Sequence, residues 1–418
     1  MLIINPKRIN ESIEVRPDWY NYYAGYSHTF TQSIITSCKL NNDSVILDPW
    51  NGGGTTTLMA SIEGIRSIGI DLNPAMKVIA MAKQSTVEDI ESIRQKIKKI
   101  RSNIKVEHVK NDPLTIWLDD ESALLIRKIE KVILCGRYYN NTQEKVDSLQ
   151  PYQCLMYTAL FNTVRQFLKP FIPSNPTWIK RPKSADKKLT LYWPELRSLY
   201  VSNLSKMFNS IDMVRHDRKC PLAQINIGSS TNLQLGTESV DLVLTSPPYC
   251  TRIDYGVATM PELSIIATNG KSEIKHIRRS LMGTTTVPKS IDTIPSNLGK
   301  ECQTFLRNVY KHPSKASQTY YFKNLLQYFK SLQLSLEQIY RVIKPNGRFI
   351  CVVQDSYYKD VHCNLPKIIG QMSQNHGFII EDVVEFESRQ NMANLNQKSK
   401  LYRAKNTAYE TVIVFKKD

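Results

Sequence analysis

Acidic residues are scarce in this chain of 418: 38 Asp and Glu stand against 55 Lys and Arg, a formal charge of +17. Long apolar runs are missing as well; no stretch of 18 apolar residues exists, so no segment suits a membrane-crossing helix. Residues 1–10 lack the apolar core of a secretory leader, which predicts an intracellular protein. The eight cysteines, at positions 38, 135, 154, 220, 250, 302, 351 and 363, form no Cys-x-x-Cys pair. That spacing argues against a zinc site or a disulfide framework and for reduced, mostly structural thiols. With 41% apolar residues the chain can still bury a sizeable core, and its length fits two or three domains, or one core with a large insertion.

The organising stretch is Val240 to Tyr255, VDLVLTSPPYCTRIDY. Val240 to Leu244 is an apolar run with one acid, suited to a buried parallel strand. Pro247 and Pro248 remove two backbone donors and fix φ, so the strand must end and the chain must leave the carboxyl edge of a sheet. Ligands bind at that edge in open α/β folds. The turn offers the Ser246 hydroxyl, backbone carbonyls with no ladder partner and the aromatic face of Tyr249. These groups suit an exocyclic amino group of cytosine or adenine, a poor nucleophile because its lone pair is delocalised into the ring. Accepting its two N–H bonds on Ser246 Oγ and the Pro247 carbonyl favours a pyramidal nitrogen, while Tyr249 stacks on the base. A Pro-Pro turn that merely caps a strand is the simpler alternative, and a second motif has to decide.

That motif is VILDPWNGGGTTT, Val45 to Thr57. A short strand ends at Asp48-Pro49, and Gly52, Gly53 and Gly54 lead into a helix; such glycines let the backbone approach a ligand at a helix N-terminus. No Gly-Lys-Ser/Thr completes this loop, so it is not a phosphate-binding P-loop. Ser67 to Ile70 reads as the next strand and ends at Asp71, 23 residues after Asp48. An acid there suits ribose hydroxyls, and capping the helix after Asn73-Pro74 is a compatible second role.

On these residues the chain resembles the amino-methylating DNA methyltransferases, whose catalytic tetrapeptide is Ser/Asn/Asp-Pro-Pro-aromatic and whose cofactor loop reads Asp-Pro-Phe-x-Gly-x-Gly-Thr. The resemblance covers residues 15–84, 223–255 and 320–418, about half the chain. It implies S-adenosylmethionine as cofactor, with Ser246, Pro247, Pro248 and Tyr249 as catalytic residues. Asp48, Pro49, Trp50 (where the family usually has Phe), Gly52, Gly54 and Asp71 would hold the cofactor. Tyr26 lies in an aromatic, glycine-containing segment that in related enzymes closes over the methionine part, although a packing role fits these tyrosines too. His28 reads as a surface or capping residue. Ser229 stands where the family often has an Asp that contacts the adenine amino group. The serine in Thr245-Ser246-Pro247-Pro248-Tyr249 is most similar to the cytosine-N4 branch; Asp or Asn is commoner in the adenine-N6 branch. Cytosine-C5 chemistry needs a cysteine nucleophile, and Cys250 reads as packing.

The pattern predicts an α/β fold: a doubly wound, seven-stranded, Rossmann-like methyltransferase sheet with a C-terminal antiparallel hairpin and an inserted, mainly helical domain. Core strands are expected at 224–227, 348–353, 378–386 and 408–415, and a long helix at 320–342. Residues 1–84 form the first half of the core, 85–222 the insertion and candidate target-recognition domain, and 223–418 the second half with a basic insertion at 256–320. The stretches 85–222 and 256–320 sum to +9 and +5, as expected of segments that grip a phosphate backbone. DNA is therefore the expected partner, with Lys180, Arg181, Lys183, Arg252, Arg278 and Arg279 as candidate contacts; an Arg252–Asp254 ion pair is the alternative for that arginine. No endonuclease motif is evident, so a restriction nuclease would be a separate chain. An adenine-N6 enzyme, an RNA amino-methyltransferase and a silent DNA-docking subunit remain open alternatives.

Overall fold

The computed structural model describes residues 1–7, 19–20, 25–173, 175, 177–213, 223–250, 253–290, 293–388 and 408–418. The sheet strands are β1 (Val45–Asp48), β2 (Arg66–Asp71), β3 (Gln224–Ile227), β4 (Val240–Thr245) and β5 (Ile343–Gln354). A small hairpin follows, β6 (Ser356–Tyr358) and β7 (Val361–Cys363), then β8 (Phe378–Ser388) and β9 (Ala408–Lys417). The seven-stranded sheet has the order β3-β2-β1-β4-β5-β9-β8. Its β1, β2, β3, β4 and β5 are parallel, and β9 runs antiparallel between β5 and β8. The doubly wound sheet with a terminal antiparallel hairpin is thus the architecture expected from the strand and helix pattern.

The helices before the insertion are α1 (His28–Ser37), α2 (Thr55–Ile62) and α3 (Pro74–Ala82). The insertion supplies α4 (Val87–Lys99), α5 (Asp120–Ile133), α6 (Thr142–Asp147), α7 (Pro151–Phe167) and α8 (Trp193–Met213). After the catalytic stretch come α9 (Tyr255–Ala258), α10 (Met260–Ile266), α11 (Gly270–Ser280), α12 (Gly299–Lys311), α13 (Phe322–Val342) and α14 (Leu365–Asn375). Their starts are encoded locally. Asn73 caps α3 by accepting from Ala75 N at 3.1 Å, with Pro74 in the first turn, and Thr86 with Asp89 forms a capping box on α4.

Period-two alternation gives each sheet face its own apolar layer. Ile46, Leu242, Leu244, Ile350, Val352, Val412 and Val414 pack with Phe30 and Ile34 of α1 and Met59 of α2. Leu47, Val243, Phe349, Cys351, Ile413 and Phe415 face the opposite way, against α12, α13 and α14 through Phe305, Phe329, Leu332 and Ile369. Both faces are covered, as parallel strands of this composition require.

Three features depart from the sequence reading. The Lys344–Gly347 turn does not precede β5 but is a bulge inside it: Val240 pairs with Ile343 while Leu242 pairs with Arg348, and Asn346 takes a φ of 61°. The long helix begins at Phe322, after a single π turn at Ser317–Tyr321. Most consequentially, the insertion does not own a core. Residues of α4, α5, α7 and α8 share one apolar cluster with Ala75, Met76 and Ile79 of α3 and with Leu263, Ile265 and Ile266 of α10. The helical insert is therefore built onto the first half of the sheet and onto the segment after the catalytic turn.

Candidate active site

Parallel pairing of Ile46 with Leu242 and Leu47 with Val243 brings the carboxyl ends of β1 and β4 to one edge of the sheet. The chain leaves β1 toward β2 on one side and meets β4 on the other, the switch point at which such sheets bind ligands. Asp48 ends β1 and Thr245 ends β4, and they touch: Thr245 Oγ1 donates to Asp48 Oδ1 at 2.6 Å. Thr56 Oγ1 donates to Oδ2 at 2.7 Å, Trp50 N to Oδ1 at 3.1 Å and Tyr26 OH to Oδ2 at 3.3 Å. Tyr26 OH also meets Thr56 Oγ1 and donates to the Leu244 carbonyl at 3.1 Å. Burial raises the pKa of Asp48, and the converging donors oppose that rise. The Asp48 carboxylate thus knots the glycine loop, the N-terminal tyrosine and the residue before Ser246, with both oxygens engaged by the protein.

The glycine loop wraps the rim of a pocket. Gly54 has a φ of +77°, and a Cβ there would stand 2.7 Å from Ala80 Cβ, so neither the conformation nor the space admits a side chain. Asp71 Oδ2 accepts from Gly52 N at 2.9 Å and Oδ1 from Asn73 N at 2.8 Å. Burial lifts the Asp71 carboxyl to about 6 despite these bonds. Asp71 therefore shapes the loop, and the helix cap falls to Asn73. The pocket is lined by Tyr26, Asp48, Pro49, Trp50, Gly52, Asp71 and Ser229 on one side and by Ser246, Pro247, Pro248 and Tyr249 on the other. Two of its lining residues carry buried donors without a partner, Asn51 Nδ2 and Trp50 Nε1. Orphan donors, a carboxylate at the end of β2 and the backbone of Gly52 and Gly53 on the wall fit a nucleoside with ribose hydroxyls and a polar tail.

At the Ser246–Tyr249 turn the hydrogen-bonding groups divide. Ser246 Oγ and the Pro247 carbonyl have no hydrogen-bond partner among the described residues, and both residues line the pocket. The Pro248 carbonyl accepts from Tyr328 OH at 2.7 Å, and Tyr249 N donates to Tyr255 OH at 3.1 Å. The groups assigned to a substrate amine are open, and their neighbours are tied down.

Of the expected cofactor residues, Gly54 is not on the lining but sets the turn beneath it, and Ser229 lines the pocket with its hydroxyl bonded to Thr231 Oγ1 at 2.7 Å. His28 is buried at the start of α1 rather than on the surface, and the cap is Ser27, which accepts from Phe30 N at 3.1 Å. Cys250 is buried in the apolar layer of α12 and α13.

The DNA candidates separate into three kinds. Lys180, Arg181, Lys183 and Arg279 are exposed, outside the pocket. Arg278 is engaged: its Nη2 donates to Asp254 Oδ2 at 2.7 Å and to Thr285 Oγ1 at 2.7 Å, which leaves it holding the segment after the turn. Arg252 lies outside the described residues, and the partner of Asp254 is Arg278. Sequence reasoning missed Asn51, Tyr255, Tyr328, Asn324 and Gln327 on the pocket wall. A signal existed for the last three. Asn324, Gln327, Tyr328 and Ser331 recur at three and four along the helix whose apolar stripe was legible, and so mark its other face.

The N6/N4-type family described as DNA methylase matches residues 240–418. The chain is similar to the Type II methyltransferase M.BsoBI of Geobacillus stearothermophilus, 26% identical over 302 residues, covering 67% of this chain and 58% of that protein. It is also similar to the Type II methyltransferase M.AvaI of Nostoc sp. strain PCC 7120, 22% identical over 399 residues, 88% of this chain and 80% of that one. A third likeness is to the Type II methyltransferase M.MvaI of Kocuria varians, 23% identical over 359 residues, 79% of this chain and 74% of that one. The chain thus spans little more than half the length of the first of these relatives. The family match runs from the strand before Ser246 to the last strand, and the glycine loop it leaves out shares the pocket with Ser246. Sequence, pocket and relatives point the same way: residues 240–418 match the DNA methylase family, and the chain is similar over most of its length to Type II methyltransferases.

Proposed function

We propose that this protein methylates the exocyclic amino group of a DNA base, cytosine N4, within a specific sequence. The observation that carries the reading is the shared pocket: Ser246 of the turn lines the same cavity as Asp48 and Asp71 of the nucleotide-binding half. S-adenosylmethionine, when bound, supplies an electrophilic methyl group. Asp71 and the backbone of Gly52 and Gly53 would hold its ribose and tail, and Trp50 and Asn51 offer the donors that lack partners.

The chain's own part is to present the amine. A base taken out of the stack enters against Tyr249, which stacks on it. Ser246 Oγ and the Pro247 carbonyl accept its two N–H bonds and draw the nitrogen toward a pyramidal geometry, freeing the lone pair. As the nitrogen lone pair bonds the methyl carbon, the methyl–sulfur electron pair leaves with S-adenosylhomocysteine. The positive charge that passes to nitrogen is stabilised by the same two acceptors without a dedicated base, and one N–H proton is then lost to solvent. The serine in first place supports cytosine; adenine N6 is the second reading, because both amines meet the same acceptors.

The test compares DNA from a host free of other methyltransferases, expressing either the wild type or Ser246→Ala. Nucleoside digests analysed by mass spectrometry should contain N4-methylcytosine only with the wild type. N6-methyladenine would move the assignment to the second reading, and no methylated base would refute both. A separate restriction nuclease belongs to this proposal as a partner, and cleavage of unmodified sites by extract from the source cell tests it.

A further inference from the structure

The catalytic turn contains one peptide unit held at both ends. The Pro248 carbonyl accepts from Tyr328 OH at 2.7 Å, and the N–H of the same peptide, on Tyr249, donates to Tyr255 OH at 3.1 Å. A trans peptide points its C=O and N–H in opposite directions, so the two hydroxyls grip the plane from opposite sides of the chain. They come from different supports. Tyr328 projects from α13 and is 2% exposed, whereas Tyr255 opens α9 and is 9% exposed.

Two prolines precede this peptide and fix φ at 247 and 248. The soft torsions left near the aromatic residue are ψ of Pro248 and φ of Tyr249, the pair on either side of the gripped plane. Fixing that plane fixes where the Tyr249 ring leaves the backbone. Both anchors are themselves braced. Asp254 caps α9 by accepting from Val257 N at 3.0 Å, and it also receives Arg278 Nη2 at 2.7 Å and Thr285 Oγ1 at 2.6 Å. Gly256 lies beneath Arg278, where a Cβ would come within 2.6 Å of Arg278 Cγ. On the other side, Tyr328 packs edge-on against Phe329 with centroids 5.2 Å apart, and Asn324 Nδ2 on the same helix donates to the Thr284 carbonyl at 2.7 Å. Burial holds both phenols far above neutral pH, so they keep their protons at any working pH.

We propose that Tyr255 and Tyr328 are positioning residues for methyl transfer: they lock the Pro248–Tyr249 peptide so that the Tyr249 ring stands ready to stack on the target base. This rests on the reading of the site given under Proposed function. It also explains the division of labour in the turn, in which Ser246 and Pro247 stay open for the amine while the next peptide is spent on rigidity.

The test uses Tyr255→Phe and Tyr328→Phe, each removing one oxygen, and their double variant. Hydrogen exchange by mass spectrometry reads the anchor directly, since Pro247 and Pro248 carry no N–H and a peptide spanning the turn reports mainly Ser246 and Tyr249. Exchange at Tyr249 should quicken about tenfold or more in Tyr255→Phe. Single-turnover methyl transfer should fall about tenfold in each variant, with the dissociation constant for S-adenosylhomocysteine unchanged. Because both hydroxyls act on one peptide, the double variant should lose little more than the worse single one. Unchanged exchange overturns the anchor. Faster exchange with a wild-type transfer rate, or a loss matched by weaker cofactor binding, overturns the positioning role. Wild-type protein that binds cofactor but methylates no DNA sinks the parent reading, and this role with it; intact turnover beside unaltered exchange sinks only this one.

Discussion

Removing the hydroxyl of Thr245 should loosen the catalytic edge without touching the ligand. Thr245 is fully buried, and its Oγ1 lies 2.6 Å from Asp48 Oδ1. A hydrogen bond to a charged group contributes about 1.5–3 kcal/mol net, and Thr245→Val leaves Asp48 with three donors. The expected loss is about 2 kcal/mol of folding stability at pH 8. The sign with pH follows from linkage. Burial has already raised the folded pKa of Asp48 above its unfolded value, and losing a donor to the charged form raises it further. The penalty falls on the ionised state, so the difference between variant and wild type should shrink as pH falls and Asp48 takes up its proton. Urea unfolding at pH 8 and pH 5 measures both, with Thr245→Ser as the control that keeps the hydroxyl. Equal midpoints for Thr245→Val and wild type at pH 8, or an equal loss in the serine control, would refute the reasoning.

Three further expectations follow from the same geometry. Asp71, lifted to about 6 by burial, should bind ribose hydroxyls best when ionised. Titration calorimetry should thus show S-adenosylhomocysteine affinity rising with pH through about 6 and levelling off above that, a dependence that Asp71→Asn abolishes. Gly54→Ala, at a φ of +77° with Ala80 Cβ 2.7 Å away from the new carbon, should lower stability by roughly 2 kcal/mol and weaken cofactor binding at least tenfold; wild-type calorimetric affinity would contradict the close approach. Glu410 on β9 is raised by burial to about 7, above its unfolded value, so it favours folding while protonated and loses that contribution as pH rises from about 4.5 through 7. Glu410→Gln should accordingly gain roughly 2 kcal/mol at pH 8 and little at pH 5 by urea unfolding.

How much of this was legible depended on whether the cause was local. Pro247-Pro248 ends β4 by covalent geometry, and Gly52–Gly54 bends the cofactor loop for steric reasons, so both appear in the sequence as they do in the fold. Asp71 ends its strand where spacing put it. Cross-chain partnerships had no such trace. Thr245 read only as the residue ahead of the Ser-Pro-Pro-Tyr turn, yet it supplies the shortest bond to Asp48, 197 positions away. Arg278 read as one cation in a basic helix, and its carboxylate partner sits 24 positions earlier. The Lys344–Gly347 turn misled for a related reason: its residues have turn chemistry, but Lys344 Nζ pairs with Asp241 at 2.9 Å and keeps the bulge within the sheet.

The insertion shows the same limit on a larger scale, and it changes how recognition and chemistry can be linked. Charge marked residues 85–222 as an inserted, candidate target-recognition domain. In the structure, buried cations of the insert hold the carbonyl end of α10, the helix that follows α9. Arg127 donates to the Ser264 and Ile265 carbonyls, at 2.8 and 2.5 Å, and Lys145 to the Ile266 carbonyl at 2.9 Å. Arg165 pairs with Glu262, which is fully buried, and with the Ala258 carbonyl. Asp112 and Glu130 neutralise Arg127 and Lys145 within the insert, so these charges are satisfied at the interface and are not available to phosphate. Of the cations expected to contact DNA, Lys180, Arg181 and Lys183, beside an exposed Trp178, and Arg279 on α11 are exposed. The insert thereby grips α10, which directly follows α9, and α9 opens with Tyr255, whose hydroxyl accepts from the peptide N–H of Tyr249.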